Sequence, residues 1–86
     1  MSNAVVVIPT YNEIENIESL LHTVFSLQQE FHVLIVDDSS PDGTAQLVQT
    51  LMQTYRSTLF ILNREKKTGL GTAYIAGFKW ALQKDY

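Results

Sequence analysis

The 86-residue chain contains no cysteine. That excludes a disulfide framework and any thiolate metal site. Cations are also scarce, six Lys and Arg against nine Asp and Glu, and a net charge of −3 argues against a nucleic-acid binder, which needs a basic face. Long hydrophobic runs are missing too. The longest, Ala4 to Pro9, falls far short of the ~20 residues that span a bilayer, and no charged n-region precedes it as a signal peptide would require. No internal repeat, low-complexity stretch or linker interrupts the chain. What is present is one domain's worth of sequence, 45% hydrophobic. A domain of this size buries roughly 60–65% of its unfolded surface, enough to fold with little stability to spare.

Three short aliphatic runs, Ala4 to Ile8, Val33 to Val36 and Leu59 to Leu62, do not alternate with polar residues. Runs of this kind between helical patterns mark strands covered on both faces, as in parallel sheets. Between the first two, Ile14, Ile17, Leu20, Leu21, Val24 and Phe25 recur at helical spacing, with Asn12 predicted as N-cap and Glu15 completing a capping box. Leu47, Val48, Leu51, Met52 and Tyr55 predict a second helix, capped by Asp42 or Thr44 after the Ser39 to Gly43 turn. Ala73, Ala76, Gly77, Trp80 and Ala81 trace a third, whose small residues allow close packing on a sheet and whose Trp80 is a core or interface anchor. The order β-α-β-α-β-α predicts the Rossmann-like half of a doubly wound α/β domain, with parallel strands side by side as 3-2-1. Strand 1 is then an open edge, so a fourth strand is expected beside it and residues 1–86 are expected to be the front part of a longer protein.

Ligands of such sheets lie beyond the carboxyl ends of the strands, and three candidate motifs occupy those loops. In the first, Pro9 to Glu13, an aromatic beside a helix start offers a flat wall for a nucleobase; alternatively Pro9 only turns the chain, Tyr11 packs on the rim and Glu13 favours the helix dipole. The second begins with the paired carboxylates Asp37 and Asp38. Neighbours in a strand point oppositely, so one is expected to satisfy the following turn while the other faces the cleft, where it needs a partner. A cleft carboxylate can accept hydrogen bonds from a base edge or hold a divalent ion. The third loop joins Arg64, Lys66 and Lys67 to Gly69 and Gly71 at a helix start. A diphosphate is its natural guest, although the glycine spacing matches neither the dinucleotide fingerprint nor a Walker A loop. Acidic residues dominate before this loop and cations cluster within and after it. His22 and His32, ten residues apart without a ligand set, are read as surface or packing residues.

Taken together, the stretches Val6-Val-Ile-Pro-Thr-Tyr-Asn-Glu13, Leu34-Ile-Val-Asp-Asp-Ser-Ser-Pro-Asp-Gly-Thr44 and Asn63-Arg-Glu-Lys-Lys-Thr-Gly-Leu-Gly-Thr-Ala-Tyr74 resemble the start of a family 2 glycosyltransferase of the GT-A fold. Within it they are most similar to the dolichyl-phosphate (polyprenol-monophosphate) mannose synthases. The resemblance implies that Pro9, Tyr11 and Glu13 line a nucleotide-sugar pocket, that Val36 contacts base or ribose, and that Asp38 hydrogen-bonds the base while Asp37 is its structural neighbour. It further implies inverting transfer of mannose from GDP-mannose to a polyprenyl (dolichyl) phosphate, with Mg2+ or Mn2+ on the donor diphosphate. The enzyme would work at the cytoplasmic face of a membrane, which parts outside this chain would contact. The family's Asp-x-Asp metal motif is expected after Tyr86, so no catalytic or metal ligand is assigned in residues 1–86 and this chain alone is expected to be inactive. Other family 2 enzymes using a UDP-sugar, and a non-catalytic nucleotide-binding fragment, are the alternatives. A receiver domain also carries paired aspartates, but it needs a phosphoacceptor aspartate where the third strand here ends in Asn63.

Overall fold

The computed structural model describes residues 4–27, 31–64 and 70–84. Six elements alternate as expected: β1 (Val5–Thr10), α1 (Ile17–Phe25), β2 (His32–Asp37), α2 (Thr44–Leu51), β3 (Leu59–Asn63) and α3 (Leu70–Gln83). The strands form one parallel sheet in the order β1-β2-β3, with Pro9 opposite Val36 and Asp37 opposite both Thr10 and Asn63. Three strands therefore end level, and their loops emerge together.

The absence of alternation has its cause in the two layers that cover the sheet. On one face Ile17 and Leu21 of α1 and Val48 and Leu51 of α2 enclose Val33, Ile35 and Leu59. On the other Ala73 of α3 meets Leu34 and Val36, with Val5, Val7, Phe60, Leu62 and Trp80 packed around them. Trp80 anchors on Phe60 at 5.3 Å between ring centroids. Gly77 explains the close seat of α3, because a Cβ there would lie 2.4 Å from Val7 Cγ1. α1 and α2 share a face and α3 takes the opposite one, so a further strand beside β1 would make β1 a switch point. In open α/β sheets such a switch point is where binding crevices form.

β1 has β2 as its only strand neighbour among the described residues. The Ala4 carbonyl accepts from the His32 N–H and the Thr10 carbonyl from the Asp38 N–H, so even-numbered residues turn their backbone groups toward β2. Pro9, being odd, turns toward the open edge. Its missing N–H therefore removes nothing from the β1–β2 ladder.

The start of α1 differs from the expectation. Asn12 does not cap it: Asn12 has φ 58°, the helix begins at Ile17, and Asn16 stands at the cap position without a side-chain cap bond. Glu15 accordingly completes no capping box. The reason lies 28 to 31 residues away, where side chains of the loop after β2 take the N–H groups that a local cap would have served. Of the predicted apolar stripe, Ile17 and Leu21 are buried, whereas Ile14 and Leu20 are exposed. For α2 the cap position is Gly43, held at φ 94°, and Asp42 serves the helix from one residue earlier by accepting the Thr44 N–H at 3.0 Å.

Candidate functional site

Tyr11, Glu13 and Asp38 come to the carboxyl end of the sheet on the first two loops, and Pro9 stands near the end of β1. Val36 reaches the same strand end but is completely buried beneath α3, with Gly77 against it, and presents no surface to a ligand in this arrangement. Tyr11 is 39% exposed, as an aromatic wall for a planar guest must be. A cleft of about 170 Å³ opens between the end of β1 and α1, lined by Pro9, Thr10, Glu13, Asn16 and Leu20; neither Tyr11 nor Asp38 lines it. A larger depression of about 320 Å³, around Met52, Phe60, Ile61, Trp80 and Lys84, wraps the outer edge of β3 away from these loops.

The paired aspartates divide their work as the strand geometry requires. Asp37 has no exposed surface, and its carboxylate accepts the Thr10 hydroxyl at 2.6 Å, the Ser40 hydroxyl at 2.7 Å and the Ser40 N–H at 3.0 Å. Three donors hold the charge in place without water. Asp38, also buried, faces the guanidinium of Arg64, with Oδ1 3.1 Å from Nε. The N–H is not aligned with that oxygen, so the contact is an ion pair without a hydrogen bond, and Asp38 Oδ1 and Arg64 Nη1 remain unmet by any hydrogen-bond partner among the described residues. The unmet oxygen is itself buried, so a donor from outside reaches it only when the side chains around it shift.

Arg64 thus has a different task from the one its sequence context suggests. It was grouped with Lys66 and Lys67 as a diphosphate cation, but it pairs with Asp38, donates from Nη2 to the Thr72 hydroxyl at 2.9 Å, and ties the end of β3 to the first turn of α3. Its N–H also donates to the Asp37 carbonyl, and its carbonyl accepts from the Ser39 hydroxyl. Lys66, Lys67 and Gly69, and with them the expected diphosphate contacts, lie outside the described residues.

Three side chains that the sequence reading gave no cross-loop role hold the first two loops together. The Asn12 N–H donates to Ser40 Oγ at 2.9 Å, the Glu13 N–H to Thr44 Oγ1 at 3.0 Å, and the Ile14 N–H to Asp42 Oδ2 at 3.1 Å. The Thr44 hydroxyl in turn donates to Asp42 Oδ1 at 2.5 Å. Burial pushes the half-buried Asp42 carboxyl up, but the Thr44 hydroxyl and the Ile14 and Thr44 N–H groups outweigh it and hold its pKa below the ordinary carboxylate range. A lowered folded-state pKa contributes stability that is present above the unfolded value and lost as pH falls through the folded one, so this contact holds at neutral pH and loosens in acid. The one local signal for this arrangement was the density of hydroxyls and carboxylates in Ser39 to Thr44.

A divalent ion does not fit the described residues. No group of three or more His, Asp or Glu side chains converges among them, and Asp37, Asp38 and Asp42 are engaged with hydroxyl, amide and guanidinium donors.

The class that the fold defines is a Rossmann-like α/β unit, three parallel strands covered by helices on both faces, with the candidate cleft at their carboxyl ends. Residues 5–86 match Glycosyl transferase family 2, and the chain belongs to that family. It is 43% identical over 81 residues to the polyprenol monophosphomannose synthase of Mycolicibacterium smegmatis, covering 94% of this chain and 31% of that protein. With the undecaprenyl-phosphate mannosyltransferase of Micrococcus luteus it shares 46% identity over 80 residues, covering 93% of this chain and 32% of that one. The chain therefore spans about a third of the length of these relatives. Among solved structures it is similar to a mannosyltransferase from Pyrobaculum calidifontis in complex with GDP-Man and Mn2+, at TM-score 0.84 and 26% identity, over 91% of this chain and 24% of that one.

Proposed function

We propose that residues 1–86 form the nucleotide-sugar-binding part of an inverting mannosyltransferase that moves mannose from GDP-mannose to a polyprenyl (dolichyl) phosphate. The observation that carries this reading is the level ending of β1 and β2, which sets Tyr11 and Glu13 on one loop beside the buried Asp38 on the next. Tyr11 would stack on the base. Asp38, steadied by Arg64, would accept from the base edge; guanine presents two adjacent donors to such an acceptor, whereas uracil presents one. Glu13 and Pro9 would close the side of the pocket, and Val36 would support it from beneath. The names of the relatives, which act on polyprenol and undecaprenyl phosphate, and the GDP-Man of the structural neighbour support donor and acceptor alike.

The divalent ion that accompanies a nucleoside diphosphate, Mg2+ or Mn2+, would take its ligands from residues other than those described. Alone, the 86-residue chain is expected to bind nucleotide without transferring sugar. No helix among the described residues is long and apolar enough to cross a membrane; the lipid acceptor would be held by other parts of the protein, as the family resemblance implies. The test is an assay of the complete open reading frame's product with GDP-mannose, UDP-glucose and UDP-N-acetylglucosamine against a polyprenyl phosphate. Transfer from GDP-mannose is the expected result. Preference for either UDP-sugar removes the mannose assignment and leaves the family intact.

A further inference from the structure

Three consecutive N–H groups of the first loop, those of Asn12, Glu13 and Ile14, end on three side chains of the second, Ser40, Thr44 and Asp42. Their direction is fixed by the carboxylates behind them. A hydroxyl has one proton, and Ser40 gives its proton to Asp37 Oδ1 while Thr44 gives its proton to Asp42 Oδ1. What each hydroxyl can then offer the first loop is a lone pair, and a backbone N–H is the partner that fits. Both loops also adopt left-handed backbone at the junction, with φ 58° at Asn12, 56° at Ser39 and 94° at Gly43. Two of these are not glycine, and such conformations persist where surrounding bonds over-determine them. The bonds run between residues 28 to 31 apart in sequence, so they fix the two loops relative to each other and not merely the turn they belong to.

We infer that Ser40, Asp42 and Thr44 are positioning residues for the nucleotide site: a clasp that sets Tyr11 and Glu13 at the correct distance from Asp38. This rests on the mannosyltransferase reading for the identity of the ligand, while the clasp itself is independent of it. Neither Ser40, Asp42 nor Thr44 touches the nucleotide; they act through the loop they hold. The residues of the pocket then arrive pre-organised, and affinity for nucleotide depends on a hydroxyl that does not contact it.

The test compares Thr44→Val, which keeps the volume and removes the hydroxyl, with Thr44→Ser, which restores it, and with Ser40→Ala as a second break in the clasp. Thr50→Val is the control, since that hydroxyl bonds the Gln46 carbonyl within α2. Hydrogen exchange of a peptide covering residues 11–16 and of one covering β2, together with GDP titration, is read on the complete open reading frame's product. Thr44→Val and Ser40→Ala are both expected to speed exchange in residues 11–16 and to weaken GDP about tenfold, the scale of one lost hydrogen bond, with β2 unchanged in Thr44→Val, whereas Ser40→Ala also takes a donor from Asp37 at the end of β2. Thr44→Ser and Thr50→Val are expected to behave as the parent. Unchanged exchange in Thr44→Val, or failure of Thr44→Ser to rescue, overturns the clasp. Faster exchange with undiminished GDP affinity overturns its positioning role, and a parent protein that binds no GDP overturns the nucleotide reading on which that role depends.

Discussion

A carboxylate taken out of water must find donors, and Asp37, without exposed surface, finds three from Thr10 and Ser40. Removing it leaves the Thr10 hydroxyl and the Ser40 N–H unmet, a loss of roughly 2–4 kcal/mol. Asp37→Ala is therefore expected to lower the melting temperature sharply and, because the Ser40 hydroxyl then loses the acceptor that aims its lone pair at the Asn12 N–H, to weaken nucleotide binding by the folded protein no more than Ser40→Ala does. Asp38→Ala has two effects, because it removes the base acceptor and also strands the Arg64 guanidinium, at about 2–3 kcal/mol given that Arg64 keeps some contact with water. Adding Arg64→Met to Asp38→Ala should restore much of the melting temperature and leave nucleotide affinity low. Melting curves and nucleotide titrations on the three proteins separate the roles; a double variant that regains affinity along with stability removes Asp38 from the site. The base-binding role of Asp38 is what these titrations decide; that the two aspartates differ, with one satisfying the hydroxyl-rich turn, was legible in the sequence from strand alternation. Arg64 was not, because its partner Asp38 lies 26 residues upstream and nothing local distinguishes it from Lys66 and Lys67.

The elements themselves follow from local pattern, and their ends do not. All three strands and all three helices stand where the apolar runs and stripes predict them, but α1 begins at Ile17 instead of just after Asn12. The capping rule failed there because the Ile14 N–H, which an Asn12 cap would have served, and the N–H groups of Asn12 and Glu13 before it are bonded to side chains after β2, a tertiary contact no window of α1 contains. α3 shows the converse. Its small residues predict close packing, and the 2.4 Å approach of a Gly77 Cβ to Val7 Cγ1 gives that prediction a distance. Gly77→Ala sets two opposed effects against each other: alanine favours the helix by about 1 kcal/mol, and overpacking against a β-branched side chain with one favoured rotamer costs about 1–3 kcal/mol. The contact lies on β1, whose main chain is held by β2, so Val7 has little room to give. Thermal unfolding is expected to show Gly77→Ala less stable than the parent; a raised melting temperature would mean that α3 can lift from the sheet.

At the scale of the molecule, the parallel order β1-β2-β3 was legible because right-handed crossovers leave little choice. α3, on the opposite face from α1 and α2, stands where a crossover to a strand beside β1 would run. The cleft lined by Pro9 and Glu13 opens at the carboxyl end of β1, and the level register of β1 and β2 ends Asp38 at the same end of the sheet. The exposed flank of α3, with Ile75, Phe78 and Leu82 each more than half exposed, belongs to the same open side of the sheet as the free edge of β1, because Trp80 on the other flank packs toward β3. The proposed function requires that the loops at the ends of β1 and β2 form a nucleotide site. An amide chemical-shift titration of the 86-residue chain with GDP tests it most directly. Such a site predicts saturable shifts centred on Tyr11, Asn12, Glu13, Asp38 and Arg64, with Met52, Phe60, Ile61 and Lys84 around the other depression unmoved. Saturable shifts centred on that second group, or none at the strand ends, would contradict it.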